Sequence, residues 1–331
     1  MQRQQQLTDW LHSLFPNENF SIAPASADAS FRRYFRATFA DGQTRIVMDA
    51  PPQNEDCRPF LHIAQLFEDA GTHVPHVFAQ DLAQGFLLLS DLGNATYLQA
   101  LTPDNARQLY GAATDALINI QLASRADELP PYDEALLLRE MRLFPEWYIA
   151  KHLNVTLSDA QNAKLETVFA RIIANNLAQP KVYVHRDYHS RNLMVTEPNP
   201  GIIDFQDAVY GPITYDLASL FKDAYIHWKE AEIIDWLIRY WEKARKAGLP
   251  VAEDFSVFYR DYEWMAVQRH LKVLGIFARL YHRDGKEGYL KDLPLVMAYL
   301  RAACVRYIDL KPLLNLLDTL EPRTTQEGYT F

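Results

Sequence analysis

Residues 182–207 constrain this chain more than any other stretch. Apolar Val182-Tyr183-Val184 runs into His185-Arg186-Asp187-Tyr188-His189-Ser190-Arg191-Asn192, and apolar Leu193-Met194-Val195 follows. After a polar turn, Gly201-Ile202-Ile203 leads into Asp204-Phe205-Gln206-Asp207. The apolar triplets read as short strands. Strands flanking a short polar loop can present Asp187 and Asn192 to one point and deliver Asp204 beside them. A carboxylate that can accept a hydroxyl proton, next to carboxylate and amide oxygens suited to Mg²⁺, is the equipment of phosphoryl transfer. A plain polar turn is the bland alternative, because Asp and Asn are common in turns. It does not account for three such residues each placed next to an apolar strand. A zinc site on His185 and His189 finds no Cys or third His nearby. His185 is better read as a brace for the loop.

The block from His185 to Asn192 fits the kinase catalytic-loop pattern H-R-D-x-x-x-x-N, and Asp204-Phe205-Gln206 stands where a protein kinase carries Asp-Phe-Gly. The stretch resembles the aminoglycoside phosphotransferase and choline kinase superfamily, the small-molecule branch of the kinase fold. In that branch Gln206 in place of Gly is ordinary. Gly211-Pro212-Ile213-Thr214-Tyr215-Asp216-Leu217 strengthens the likeness. The resemblance implies Asp187 as catalytic base, Asn192 and Asp204 as Mg²⁺ ligands, ATP as phosphoryl donor, and Asp216 as a second brace for the catalytic loop. A protein kinase is a poorer fit, since Asp-Phe-Gly and an Ala-Pro-Glu segment are missing.

Composition agrees with a folded enzyme. The chain has 331 residues, 49% of them hydrophobic, enough for one large domain or two lobes. Its net charge of −9 argues against a nucleic-acid surface, which wants a basic face. Cys57 and Cys304 lie far apart, give no disulfide framework and point to a reducing compartment. The N-terminus lacks an apolar signal core, and no run is long enough to span a membrane. A cytoplasmic protein is expected, with no membrane or nucleic-acid partner and an oligomeric state that the sequence leaves open.

The order of elements predicts an α+β, two-lobed protein-kinase-like fold, with a small β-rich N-lobe over 1–93 and a large, mainly helical C-lobe over 94–331. Residues 4–15 form a helix, 31–39 and 45–48 a hairpin turning at Asp41-Gly42, 56–70 a helix, and 76–80 and 86–90 two further strands. The hinge falls near 90–93, where backbone groups of Ser90, Asp91 and Leu92 can meet adenine. Thr102-Pro103 starts a helix to about 123. Further helices are read over 133–151, 158–177, 229–246, 254–281 and 286–310, with a polar, frayed tail after about 320.

Phosphate binding departs from the kinase pattern. The loop over 26–34 holds no glycine, so Ser30, Arg32 and Arg33 are its candidates for phosphate contacts. Met48 stands near the position of the usual Lys, and Arg45 is one substitute. Gln206, Asp207 and Arg269 are candidate substrate contacts. The run Gln268-Arg269-His270-Leu271-Lys272 can line a cleft or form a solvated face. Phe144-Pro145-Glu146-Trp147-Tyr148 can stack on a sugar or pack in the core.

The loop over 28–36, Met48-Asp49-Ala50-Pro51-Pro52, the catalytic loop and residues 268–279 together resemble the branch of the superfamily that phosphorylates amino sugars at the anomeric hydroxyl in bacterial cell-wall recycling. Met48 is ordinary there. The resemblance implies an amino-sugar substrate. Other small hydroxyl compounds (an aminoglycoside, choline or homoserine) and a nucleotide-binding scaffold without turnover remain as alternatives.

Overall fold

A computed structural model describes residues 2–26 and 31–321. The chain packs as two units, residues 1–123 with 191–208, and residues 124–190 with 209–331. The boundary expected at Gly93 therefore falls inside the first unit, and the catalytic stretch is shared between the two.

In the first unit, helix α1 (Gln2–Leu14) leads to strands β1 (Phe20–Ser26), β2 (Arg33–Phe39) and β3 (Thr44–Asp49), helix α2 (Arg58–Asp69), and strands β4 (Val77–Asp81) and β5 (Phe86–Ser90). The antiparallel sheet runs β1-β2-β3-β5-β4. Strand β1 was not expected, because Pro24 and small polar residues hide its alternation. The β2–β3 hairpin turns where Asp41-Gly42 predicts: Gly42 has φ +84°, and the Gln43 N–H donates to Asp41 Oδ1 at 2.9 Å. Leu7, Trp10 and Leu11, at helical spacing on α1, pack with Ala37, Phe39, Val47, Phe86 and Leu88 of the sheet. Buried Asp49 ties the same helix down by accepting from Arg3 Nε at 2.8 Å.

A short helix, α3 (Tyr97–Ala100), starts on the Thr96 capping box, and α4 (Ala106–Leu122) follows. Thr102 and Pro103 lie before α4 rather than starting it, because Asn105 takes the cap position. The remaining piece of this unit is β7 (Leu193–Met194) paired with β8 (Gly201–Ile202). Phe205, just beyond, is buried against Phe60 and Phe67 of α2, with ring centroids 4.9 and 5.8 Å away.

The second unit is mainly helical. Helix α5 (Glu134–Leu143) continues as a π-helical segment, Phe144–His152, and α6 (Asp159–Leu177) starts on the Ser158 capping box. Strand β6 (Lys181–Val184) pairs antiparallel with β9 (Val209–Pro212). Then come α7 (Tyr215–Phe221), α8 (Glu230–Lys246), α9 (Phe255–Asp284), α10 (Leu293–Arg306) and α11 (Lys311–Leu320). The helix expected over 286–310 is broken into a 3₁₀ turn, α10 and a second 3₁₀ turn, and α11 was not anticipated. The expected frayed tail lies outside the described residues beyond 321. Helix α9 runs through the core, with most of 262–278 buried. Gly275 lets it touch α5: a Cβ there would come within 2.3 Å of the Leu143 backbone.

Candidate active site

Strand β6 delivers the first half of the motif within the second unit. Arg186 holds φ +75°, a left-handed conformation rare for a side chain of its size. Asp216, at the start of α7, compensates by accepting the N–H of His185 at 2.7 Å and of Arg186 at 3.0 Å. Burial pushes its carboxyl up to about 7, and the two N–H donors work against that. His185 is buried, and its Nδ1 receives the Asp187 N–H at 3.3 Å. Asp223 holds the far end of the loop through the Ser190 N–H at 3.0 Å and the Ser190 hydroxyl.

The Asp187 side chain is 38% exposed. Partial burial opposes its ionisation, but Lys272 and then Arg269 outweigh it and hold the carboxyl well below the usual range. Arg269 Nη1 lies 3.8 Å from Asp187 Oδ1 and donates to the Arg186 carbonyl at 2.8 Å. Lys272 Nζ donates to the Tyr215 hydroxyl at 3.1 Å and pairs with Glu140 Oε1 at 3.2 Å. Glu140 also accepts from Arg186, Tyr132 and Gln268. Burial opposes its charge too, yet Lys272 and Arg186 bring it down to about 2.

The second half of the motif belongs to the first unit. The β7–β8 pair sets Asn192 and Asp204 at its open end, and the Ile203 N–H donates to the Asn192 carbonyl at 3.1 Å. Asn192 Nδ2 donates to Asp204 Oδ2 at 3.2 Å, and Gln206 Nε2 donates to Asp204 Oδ1 at 2.9 Å. Asp204 has φ +65° and an exposed side chain. Gln206 Oε1 is buried without a hydrogen-bond partner. Asn192, Asp204 and Gln206 offer oxygen donors of the kind Mg²⁺ prefers and could hold it.

The other expected residues have varied surroundings. Ser30 lies outside the described residues. Arg33 spends its guanidinium on buried Asp49, and Arg32 Nε lies 3.8 Å from Glu55. Asp91 is held bidentately by Arg36, at 2.5 and 3.0 Å, and accepts the Gly93 N–H at 2.9 Å. The Ser90 N–H goes to the His76 carbonyl at 2.9 Å, so it is not open for adenine. Leu92 packs against Gly201, where a Cβ would sit 3.0 Å from it. Met48 is buried, and Arg45 stacks over Phe78 at 4.5 Å. Asp207 is exposed. The run 268–272 is buried throughout, which excludes the solvated face. Phe144 and Tyr148 are core residues rather than a sugar platform. Glu140, Tyr132 and Tyr215 were missed. The only signal for Glu140 is a charge inside the apolar run of α5.

The phosphotransferase enzyme family matches residues 21–255, and the chain belongs to it. It is 48% identical over 336 residues to the N-acetylmuramate/N-acetylglucosamine kinase of Neisseria meningitidis serogroup B, covering all of both chains. The kinase of the same name from Pseudomonas aeruginosa is 51% identical over 328 residues, covering 96% of this chain and 97% of that one. A choline/ethanolamine kinase family protein from Mesorhizobium loti superposes with a TM-score of 0.64 at 14% identity, covering 96% of this chain and 99% of that one. The fold is thus the α+β, two-lobed protein-kinase-like one that the order of elements predicted, and the protein is a kinase. Among the described residues no helix is long and apolar enough to cross a membrane.

Proposed function

We propose that this chain is an ATP- and Mg²⁺-dependent cytoplasmic kinase that phosphorylates the anomeric C1 hydroxyl of N-acetylmuramate and N-acetylglucosamine. The observation that carries the substrate is about 50% identity, end to end, to kinases of that name. The geometry supplies the chemistry. Asp187 is ionised and partly open, so it can orient the C1 hydroxyl and take its proton late in transfer. The sugar oxygen bonds to the γ-phosphorus of ATP while the bond to the β-phosphate oxygen breaks. The products are the sugar 1-phosphate and ADP, with the proton on Asp187. Asn192 and Asp204, with Gln206 beside them, would hold Mg²⁺, which neutralises phosphate charge when bound. Arg269 and Lys272 keep Asp187 ionised, and Asp216 fixes the loop that carries it.

The test is a panel of hydroxyl acceptors with ATP and Mg²⁺, read by phosphorus NMR. The two N-acetylated sugars should give anomeric phosphates. Phosphorylation of an aminoglycoside, choline or homoserine instead, or no turnover of any acceptor, would overturn the assignment.

A further inference from the structure

The loop that carries Asp187 runs into an aromatic cluster that the chemistry above does not use. The His189 N–H donates to the Asp187 carbonyl at 3.0 Å. After burial, Lys272 and Arg269, the His189 ring is the next group acting on the Asp187 carboxyl. That ring is buried, and the Tyr225 ring meets it edge-on with 5.5 Å between centroids. Tyr225 lies in the irregular segment 222–229 between α7 and α8. Its N–H donates to Asp223 Oδ1 at 3.2 Å, and Asp223 Oδ2 accepts the Ser190 N–H at 3.0 Å. One buried carboxylate therefore clamps Tyr225 to the residue that follows His189.

Further rings fix Tyr225 in place. Phe277 stands 6.1 Å from it, on α9 about two turns beyond Arg269, the residue that reaches Asp187. Tyr289, on the 3₁₀ turn after α9, packs on Phe277 at 5.1 Å. His189 and Phe277 are buried, whereas Tyr225 keeps part of its surface exposed. A half-open aromatic ring, held by backbone and ring contacts beside the group that takes the hydroxyl proton, is a ready surface for the apolar face of a ligand. It offers what Phe144 and Tyr148, both buried in the core, do not.

We propose that the Tyr225 ring is the platform on which the pyranose ring of the sugar packs while its C1 hydroxyl meets Asp187. This rests on the amino-sugar reading above and names a binding residue for it. A pyranose chair carries most of its hydroxyls around the rim and leaves C–H groups on its faces. Those hydrogens are slightly positive and suit the negative face of an aromatic ring. N-acetylmuramate and N-acetylglucosamine share that ring and differ at the C3 oxygen, so one platform serves both. The contact needs the aromatic ring of Tyr225 and not its hydroxyl.

The experiment measures kcat and KM of wild type, Tyr225→Leu and Tyr225→Phe with both sugars, and KM for ATP at saturating sugar. Tyr225→Leu keeps apolar bulk but removes the ring. It should raise KM for both sugars roughly 5- to 30-fold, the range of one aromatic contact and the area it covers. It should leave kcat and the KM for ATP within about threefold, the pattern of lost substrate binding. Tyr225→Phe should recover most of the loss. A fall in kcat with sugar KM unchanged would mean that the ring only braces His189 and the catalytic loop, and would overturn the proposal. An equal rise in KM for ATP would assign Tyr225 to general structure and overturn it too. A Leu variant as good as wild type, or a Phe variant no better than Leu, would do the same. Turnover of neither sugar by wild type would remove the amino-sugar reading, and this inference with it, before any variant is compared.

Discussion

Around Asp187 the partners come from far along the chain: Glu140 on α5, Asp216 on α7, Arg269 and Lys272 on α9. Around Asn192 and Asp204 they are local: the β7–β8 pair, Gln206, and Phe205 lodged against α2. The first half of the motif is organised by buried charge and the second by a short hairpin with an aromatic anchor. A base needs its proton affinity tuned, which calls for charges of both signs in fixed places. A metal ligand needs mainly to be held in position, and backbone pairing does that. The two halves should therefore fail in different ways.

The largest expected difference comes from the reacting groups themselves. Asp187→Asn keeps shape and removes the base, so kcat should fall roughly 10²- to 10⁴-fold with nucleotide affinity largely kept. Asp204→Ala should also remove turnover, but as a metal defect, visible as lost dependence on Mg²⁺. Turnover and nucleotide binding titrated against Mg²⁺ separate the two. An Asn variant within a few-fold of wild type, with phosphoryl transfer limiting, would take Asp187 out of the role of base.

The same contrast explains what could be read in advance. The β7–β8 half is local, and its apolar triplets and intervening turn stand in the sequence. The fold class followed from the order of hairpin, helix, strands and helices. The cage around Asp187 depends on contacts across long separations, from Glu140 to Lys272 above all. No local pattern marks Glu140 as a partner of Arg186, and the buried run 268–272 reads equally as a solvated face until α9 is placed in the core. The pairing of Arg33 with Asp49 went unread for a related reason: Asp49 lies directly opposite on the neighbouring strand, sixteen residues on. β1 escaped because a Pro and small residues mask its period.

Phe205→Ala tests the hairpin half. Phe205 is fully buried between Phe60 and Phe67, so truncation leaves a cavity and should cost about 3–5 kcal/mol. Asp204 is the next residue, so the Mg²⁺ needed for half-maximal rate should also rise. Denaturant midpoints and a Mg²⁺ titration check both. A stable variant with normal Mg²⁺ dependence would mean that the aromatic anchor does not position Asp204.

Glu140→Gln tests the charge-organised half. The Glu140 carboxyl is lowered in the fold from its ordinary 4.5 to about 2, because Lys272 and Arg186 outweigh burial. A lowered carboxylate contributes stability that is present above about pH 4.5 and lost as pH falls toward 2. The variant lacks that contribution. It should be less stable by about 3 kcal/mol at neutral pH, and the gap should close as pH falls below 4.5. Unfolding curves of both proteins from pH 7 to pH 3 read the gap. One that stays constant would show that Glu140 acts by packing rather than by charge.

The smallest effect is expected at Arg33, where the comparison reaches the first unit's sheet. Its side chain is half exposed while its partner Asp49 is fully buried. Asp49 has a second cation in Arg3, whose Nε donates to it at 2.8 Å, so removing Arg33 does not strand the carboxylate. Arg33→Gln should therefore cost only about 1 kcal/mol, well below the loss of a lone buried pair. If the guanidinium serves Asp49, the KM for ATP should stay within about twofold while the unfolding midpoint falls. If it leaves Asp49 to hold a phosphate, the KM should rise by tenfold or more with little change in the midpoint. Adding Arg3→Gln sharpens the choice. With both cations gone, Asp49 is left buried and unpaired, and the double variant should lose more stability than the two single variants summed.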